Sequence, residues 1–206
     1  MIQARKPISM LGLGLILALT VNLAMWIPMA KAANSMDEVK SLFDQVRTIL
    51  QTSAVKSRQL DLIEQLMAKH LDYEEMAKRS LGSTWGTLDA GQQAEFVQLV
   101  SDLLKAYCAK HVDGFATTRV DYRGEICKGD SSVVHLVIIR PNDRIPMSVS
   151  VLQKPAGWMI YDLNIKGVSL VSKFRTQFSR ALMVGSYQGL VARLKAHLKK
   201  VSHGCG

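Results

Sequence analysis

Apolar positions along this chain follow three patterns in turn, and the changes between them divide it. The first is a continuous run: after the basic pair Arg5 and Lys6, uncharged and mostly apolar residues extend from Ile8 to Ala30. The second has helical period. Val39, Leu42, Phe43, Val46, Ile49 and Leu50 share one face as far as Gln51, and Ser35-Met36-Asp37-Glu38 reads as the capping box that starts the helix. A polar linker, 52–57, precedes a second helix carrying Leu60, Ile63, Leu66 and Met67. Leu71-Asp72-Tyr73 starts a third, over 74–81, stopped by Gly82. After a connector holding Trp85, Asp89 with Gln92 three residues on opens the longest helix, which runs toward Gly114. Its apolar residues, among them Phe96, Val100, Leu103, Leu104, Tyr107 and Cys108, cover a wider face than one neighbour requires.

The third pattern has period two and begins at Thr117. Four strands are predicted over 119–126, 132–140, 145–153 and 158–165, separated by Gly129-Asp130, Pro141-Asn142-Asp143 and Pro155-Ala156-Gly157. Connections that short make the sheet an antiparallel meander. Ile145, Met147, Val149 and Val151 alternate with Pro146, Ser148 and Ser150, and Val134, Leu136 and Ile138 form a matching row next door. Helical period returns after Gly167, with Ser169 as N-cap and Val171, Phe174 and Phe178 on one face. A last amphipathic helix follows Gly185, from Tyr187 to about Lys199. The predicted class is α+β, helices packed over a four-stranded antiparallel sheet.

Composition alters this picture at the ends. Pro28 and Ala30-Lys31-Ala32 follow the apolar run as a cleavage signature, so 1–32 reads as an export signal and 33–206 as a single domain with room for two lobes. An uncleaved anchor is the rival reading, since the run is long enough to span a bilayer. Removing Arg5, Lys6 and Lys31 lowers the formal net charge of +9 to +6, dispersed except for Arg193, Lys195, Lys199 and Lys200 near the C-terminus. That excess does not suggest a nucleic-acid partner. The tail cluster fits a solvated helix face or, more pointedly, docking to an anionic lipid surface or an acidic partner. Cys108, Cys127 and Cys205 lack metal spacing, and Cys108 and Cys127 could pair only if their elements meet.

Catalytic patterns are missing. The five histidines make no ligand motif, with His135 reading as a sheet residue between Val134 and Leu136; Ser169 sits in G-V-S-L-V rather than G-x-S-x-G; no phosphate loop occurs. Asp162 beside Tyr161 is the one residual acid–base candidate. No enzyme, cofactor or metal site is expected; catalytic residues are none.

Three motifs in order carry a resemblance. They are Asp72-Tyr73-x-x-Met76-Ala77-x-x-x-Leu81-Gly82-x-x-Trp85 with Gln92-Gln93-x-x-Phe96; Gly157-Trp158-x-x-Tyr161-Asp162 continuing into Gly167-Val168-Ser169-Leu170-Val171-x-x-Phe174-Arg175-x-x-Phe178; and Gly185 with Gly189-Leu190. Together they resemble the toluene-tolerance family of exported lipid-binding proteins, across nearly all of the chain after the leader. The resemblance implies helices over a sheet enclosing an apolar slot, with bound phospholipid as cargo. It also implies a periplasmic location, partners in an inner-membrane ABC lipid transporter complex and an outer-membrane lipoprotein complex, and a role in outer-membrane lipid asymmetry. Phe174 stands where the family usually has Tyr, and Val149 and Val151 where an aromatic is common. A sister branch associated with hopanoid synthesis shares the fold, and an exported adaptor with a solid core is the alternative of another class.

The residues expected to line the slot are Leu103 and Tyr107 from the long helix, Val134, Leu136, Ile138, Met147, Val149, Val151, Trp158 and Ile160 from the sheet, and Phe174 and Phe178 from the helix after it. Each of them suits a plain core equally well.

Overall fold

Helices over one face of a sheet: the computed structural model, which describes residues 34–53 and 55–203, has this arrangement throughout. The expected leader, its cleavage site and Cys205 lie outside the described residues. Helices α1 (Ser35–Thr52), α2 (Lys56–His70), α3 (Tyr73–Leu81) and α4 (Ala90–His111) come first, with a 3-10 segment, Gly82–Thr87, before α4. Strands β1 (Arg119–Lys128), β2 (Ser131–Arg140), β3 (Asp143–Lys154), β4 (Gly157–Ile165) and β5 (Val168–Ser169) follow, then α5 (Leu170–Met183) and α6 (Tyr187–His203). The sheet is antiparallel in chain order. Among the described residues no helix is long and apolar enough to cross a membrane.

The sheet has five strands rather than the expected four. Lys166 and Gly167 both have positive φ, 52° and 83°, which bends the chain back within two residues so that Val168 and Ser169 pair with Ile165 and Asn164. A positive φ is costly for lysine. The Lys166 amide donates to the Pro146 carbonyl at 2.9 Å, and its ammonium meets Asp143 at 3.1 Å. This two-residue strand carries too few positions to have a readable period.

Two bulges set which residues face inward. Arg123 is an extra residue in β1, between Tyr122 opposite Leu136 and Gly124 opposite His135. Tyr161 is extra in β4, between Ile160 opposite Val151 and Asp162 opposite Ser150. The second bulge keeps Leu163 and Ile165 on the same face as Ile160; strict alternation would have turned them outward. The inward face is the core: Val134, Val149 and Val151 are fully buried, with Leu136, Ile138 and Ile160 nearly so. Burying each of these side chains stabilises the fold by about 1.5–3 kcal/mol.

Caps fix the helix positions. Asp72 accepts from the Glu75 amide at 2.9 Å to start α3, and Asp89 and Gln92 form the expected reciprocal box at α4. At α1 the expected box is replaced. Asn34 is the N-cap, accepting from Asp37 at 2.7 Å. Ser35 is buried instead, its hydroxyl donating to Glu125 of β1 and accepting from the Ser132 hydroxyl of β2 at 2.7 Å, while the Met36 amide donates to Glu125 at 3.0 Å. The Glu125 carboxylate reaches the positive end of α1 from the sheet, which ties the helix start to the core. Gly82 ends α3 at φ 62°, ψ −132°, with the Arg175 guanidinium only 3.3 Å from where a Cβ would stand.

Candidate functional site

Most of the sequence-derived slot residues lie in one apolar layer. Val134, Leu136 and Ile138 of β2, Val149 and Val151 of β3, Ile160 of β4 and Phe178 of α5 are all buried in one core cluster. Met147, Trp158, Phe174 and Leu103 are half-buried at its margin. Phe174 stacks on Phe178 at 5.6 Å, and Phe178 meets Phe96 of α4 edge-on at 5.4 Å. Tyr107 is apart from this layer, 39% exposed on α4.

Open space lies nearby, between α2, α4 and α6. A cleft of about 580 Å³ is lined by Leu60, Ile63 and Met67 of α2, Ala106, Cys108 and Ala109 of α4, and Leu198 and Val201 of α6. That volume falls in the range of roughly 300–1,000 Å³ found for small-molecule sites. Charged residues complete the lining: Glu64, Asp102, Lys105 and Lys199. The Lys105 ammonium lies 2.5 Å from Glu64 and 3.7 Å from Asp102, so it bridges α2 and α4. Burial pushes the Cys108 thiol up to about 11, leaving it neutral. Tyr73 of α3, which is not part of the lining, has a buried hydroxyl with no hydrogen bond of good geometry. Its burial pushes it up to about 12, Ser101 offsetting part of that, and Cys108, Glu64 and Asp102 act on it in the same upward direction.

Sequence reading placed Ile63 and Met67 in ordinary helix packing, singled out Lys199 only as part of the basic tail cluster, and passed over Glu64, Asp102 and Lys105. The signal was the excess width of the apolar face on α4: one side packs on α3 and α6, and the surplus faces the cleft. Charged residues on helix surfaces are so common that period alone cannot single out a rim.

The residual acid–base candidate has another task. Asp162 accepts a hydrogen bond from the Ser169 hydroxyl at 2.5 Å and another from the Val171 amide at 3.0 Å, and Ser169 accepts in turn from the Ser172 amide at 3.0 Å. These bonds secure the first turn of α5. The Tyr161 ring lies under the Arg79 guanidinium at 4.2 Å. Cys108 and Cys127 are both free, and His70 pairs with Glu38 at 2.5 Å between α2 and α1.

Fold and site together define a class: an α+β protein with a one-sided sheet, an apolar layer beneath its helices and an apolar cleft bordered by charge. Residues 40–196 match the profile described as MlaC protein, and the chain belongs to the MlaC family. Among solved structures it is similar to the phospholipid-binding protein from Ralstonia solanacearum, determined in complex with a phospholipid. The TM-score is 0.76 at 21% identity, covering 82% of this chain and 99% of that one. No curated protein matches the sequence.

Proposed function

We propose that this chain is a periplasmic phospholipid carrier that moves lipid between the outer and inner membranes without chemistry of its own. The observation that carries this reading is the MlaC family match over residues 40–196. The shared fold of the Ralstonia solanacearum protein supports it. On this reading the acyl chains enter through the α2–α4–α6 cleft. They extend toward the layer of Val134, Leu136, Ile138, Met147, Val149, Val151, Trp158, Ile160, Phe174 and Phe178, with Leu103 beside it and Tyr107 at the outer end. The partners are an inner-membrane ABC lipid transporter complex and an outer-membrane lipoprotein complex, and the outcome is maintained outer-membrane lipid asymmetry.

Energetics favour a binder of this kind. Each methylene taken from water gains about 0.8 kcal/mol, but a lipid tail already has that gain in a bilayer. An apolar protein interior therefore accepts and releases a tail at nearly constant free energy. Such exchange needs no catalytic residue, and Asp162, the strongest such candidate, is engaged in capping.

The test is the cargo. Protein purified from a periplasmic fraction and examined by native mass spectrometry and solvent extraction should carry phospholipid in near-stoichiometric amount. Repeatedly lipid-free protein, with no uptake from vesicles, overturns the reading and favours the adaptor.

A further inference from the structure

We infer that the mouth of the α2–α4–α6 cleft selects phospholipids with a zwitterionic headgroup, a phosphate joined to an ammonium, over those with a net negative one. The inference rests on the carrier reading above and adds a determinant of specificity to it. Four charges border the cleft, two of each sign: Glu64 and Asp102, Lys105 and Lys199. They are arranged rather than scattered. Lys105 lies between the two carboxylates, 2.5 Å from one and 3.7 Å from the other. Its side chain is 27% exposed, while Glu64 and Asp102 are 50% and 38% exposed. The Lys105 stem is covered by its surroundings while its ammonium meets both carboxylates, so charges of the two signs lie side by side at the rim.

A headgroup that enters tails first comes to rest at a rim that carries both signs of charge. For phosphatidylethanolamine the terminal group is an ammonium, and the charges are complementary: phosphate near Lys105 and Lys199, ammonium near Glu64 and Asp102. For phosphatidylglycerol the same phosphate arrives without a compensating cation, and the two carboxylates face net negative charge. Apolar Leu60, Ile63 and Met67 accept either lipid's tails equally, so the discrimination falls to the rim. At partly exposed positions an ion pair contributes modestly, so the expected bias is about two- to fivefold.

The experiment offers the protein vesicles of equal phosphatidylethanolamine and phosphatidylglycerol with identical acyl chains. Protein is separated from vesicles, and the bound lipid is extracted and quantified by mass spectrometry. The wild type is expected to hold ethanolamine lipid about two- to fivefold over the vesicle ratio, less at high salt. The E64Q/D102N variant, whose rim is net positive, is expected to reverse its preference toward the glycerol lipid. Circular dichroism checks the fold, and E64Q alone, at a half-exposed position, replaces the double variant if that one does not fold. Full loading at the vesicle ratio in wild type and variant overturns the headgroup inference alone. No loading of either lipid overturns the carrier reading and this inference with it.

Discussion

Asp162 is a short side chain doing the work of two caps. One carboxylate oxygen takes the Ser169 hydroxyl and the other takes the Val171 amide, so the start of α5 is held to β4 by a negative group at the positive end of a helix. Replacing it with alanine removes both bonds and leaves a part-buried amide without its acceptor. The expected loss is about 1–3 kcal/mol in urea unfolding. Asp162→Asn, which keeps an oxygen for Val171, should lose less. An equal loss for the two variants would show that the charge rather than the hydrogen-bond geometry holds α5. Ser169 as a cap was legible from its place after Gly167, because the rule for N-caps is local. Ser35 was not. Its neighbours spell a capping box, yet its partners are Glu125 and Ser132, on strands ninety or more residues away. Local spelling cannot anticipate a carboxylate delivered from another element.

At the level of elements, period identified the four long strands and six helices, since each is long enough to repeat its pattern several times. It could not give the facing of β4 beyond Ile160, because a bulge inverts the alternation and leaves no mark in composition. The cleft was legible only as surplus apolar width on α4. Cys108 on that helix offers a direct probe. With the thiol pushed up from 9.0 to about 11, its thiolate fraction at pH 8 should be about 100-fold below that of an unperturbed thiol. In a protein with Cys127 and Cys205 changed to serine, reaction with a disulfide reagent should be slow at pH 8 and accelerate through pH 10. Lipid loading should slow it further if the tails occupy the cleft. A rate independent of lipid would place the tails elsewhere.

Among the described residues, Tyr73, Tyr122 and Cys108 carry large upward shifts that act in one direction. Tyr73 and Tyr122 are each pushed from 10.0 to about 12 and Cys108 from 9.0 to about 11, in every case chiefly by burial; Asp44 adds to the rise at Tyr122 and Arg47 opposes it. Each therefore keeps its proton longer folded than unfolded. Stability is full below about pH 9, where both states are protonated, and falls as pH rises through 12, where the unfolded chain has already released its protons. Melting temperature followed by circular dichroism should decline over that window, and Y73F should decline less steeply than wild type. A flat profile to pH 12 would mean these groups are more hydrated than their burial implies.

The edges of the sheet carry a consequence for how the chain behaves in company. On one side β4 is closed off by β5 and by Leu71 and Asp72, whose amide donates to the Ile160 carbonyl at 2.8 Å. On the other side β1 ends the sheet with Arg119, Asp121, Arg123, Glu125 and Lys128 along ten residues, and the Arg123 bulge breaks its ladder. A strand so charged and so interrupted is a poor template for another strand. On the proposed carrier reading, exchange of a lipid tail would bare apolar surface and with it a risk of aggregation. The charged and interrupted edge at β1 gives neighbouring copies little on which to begin.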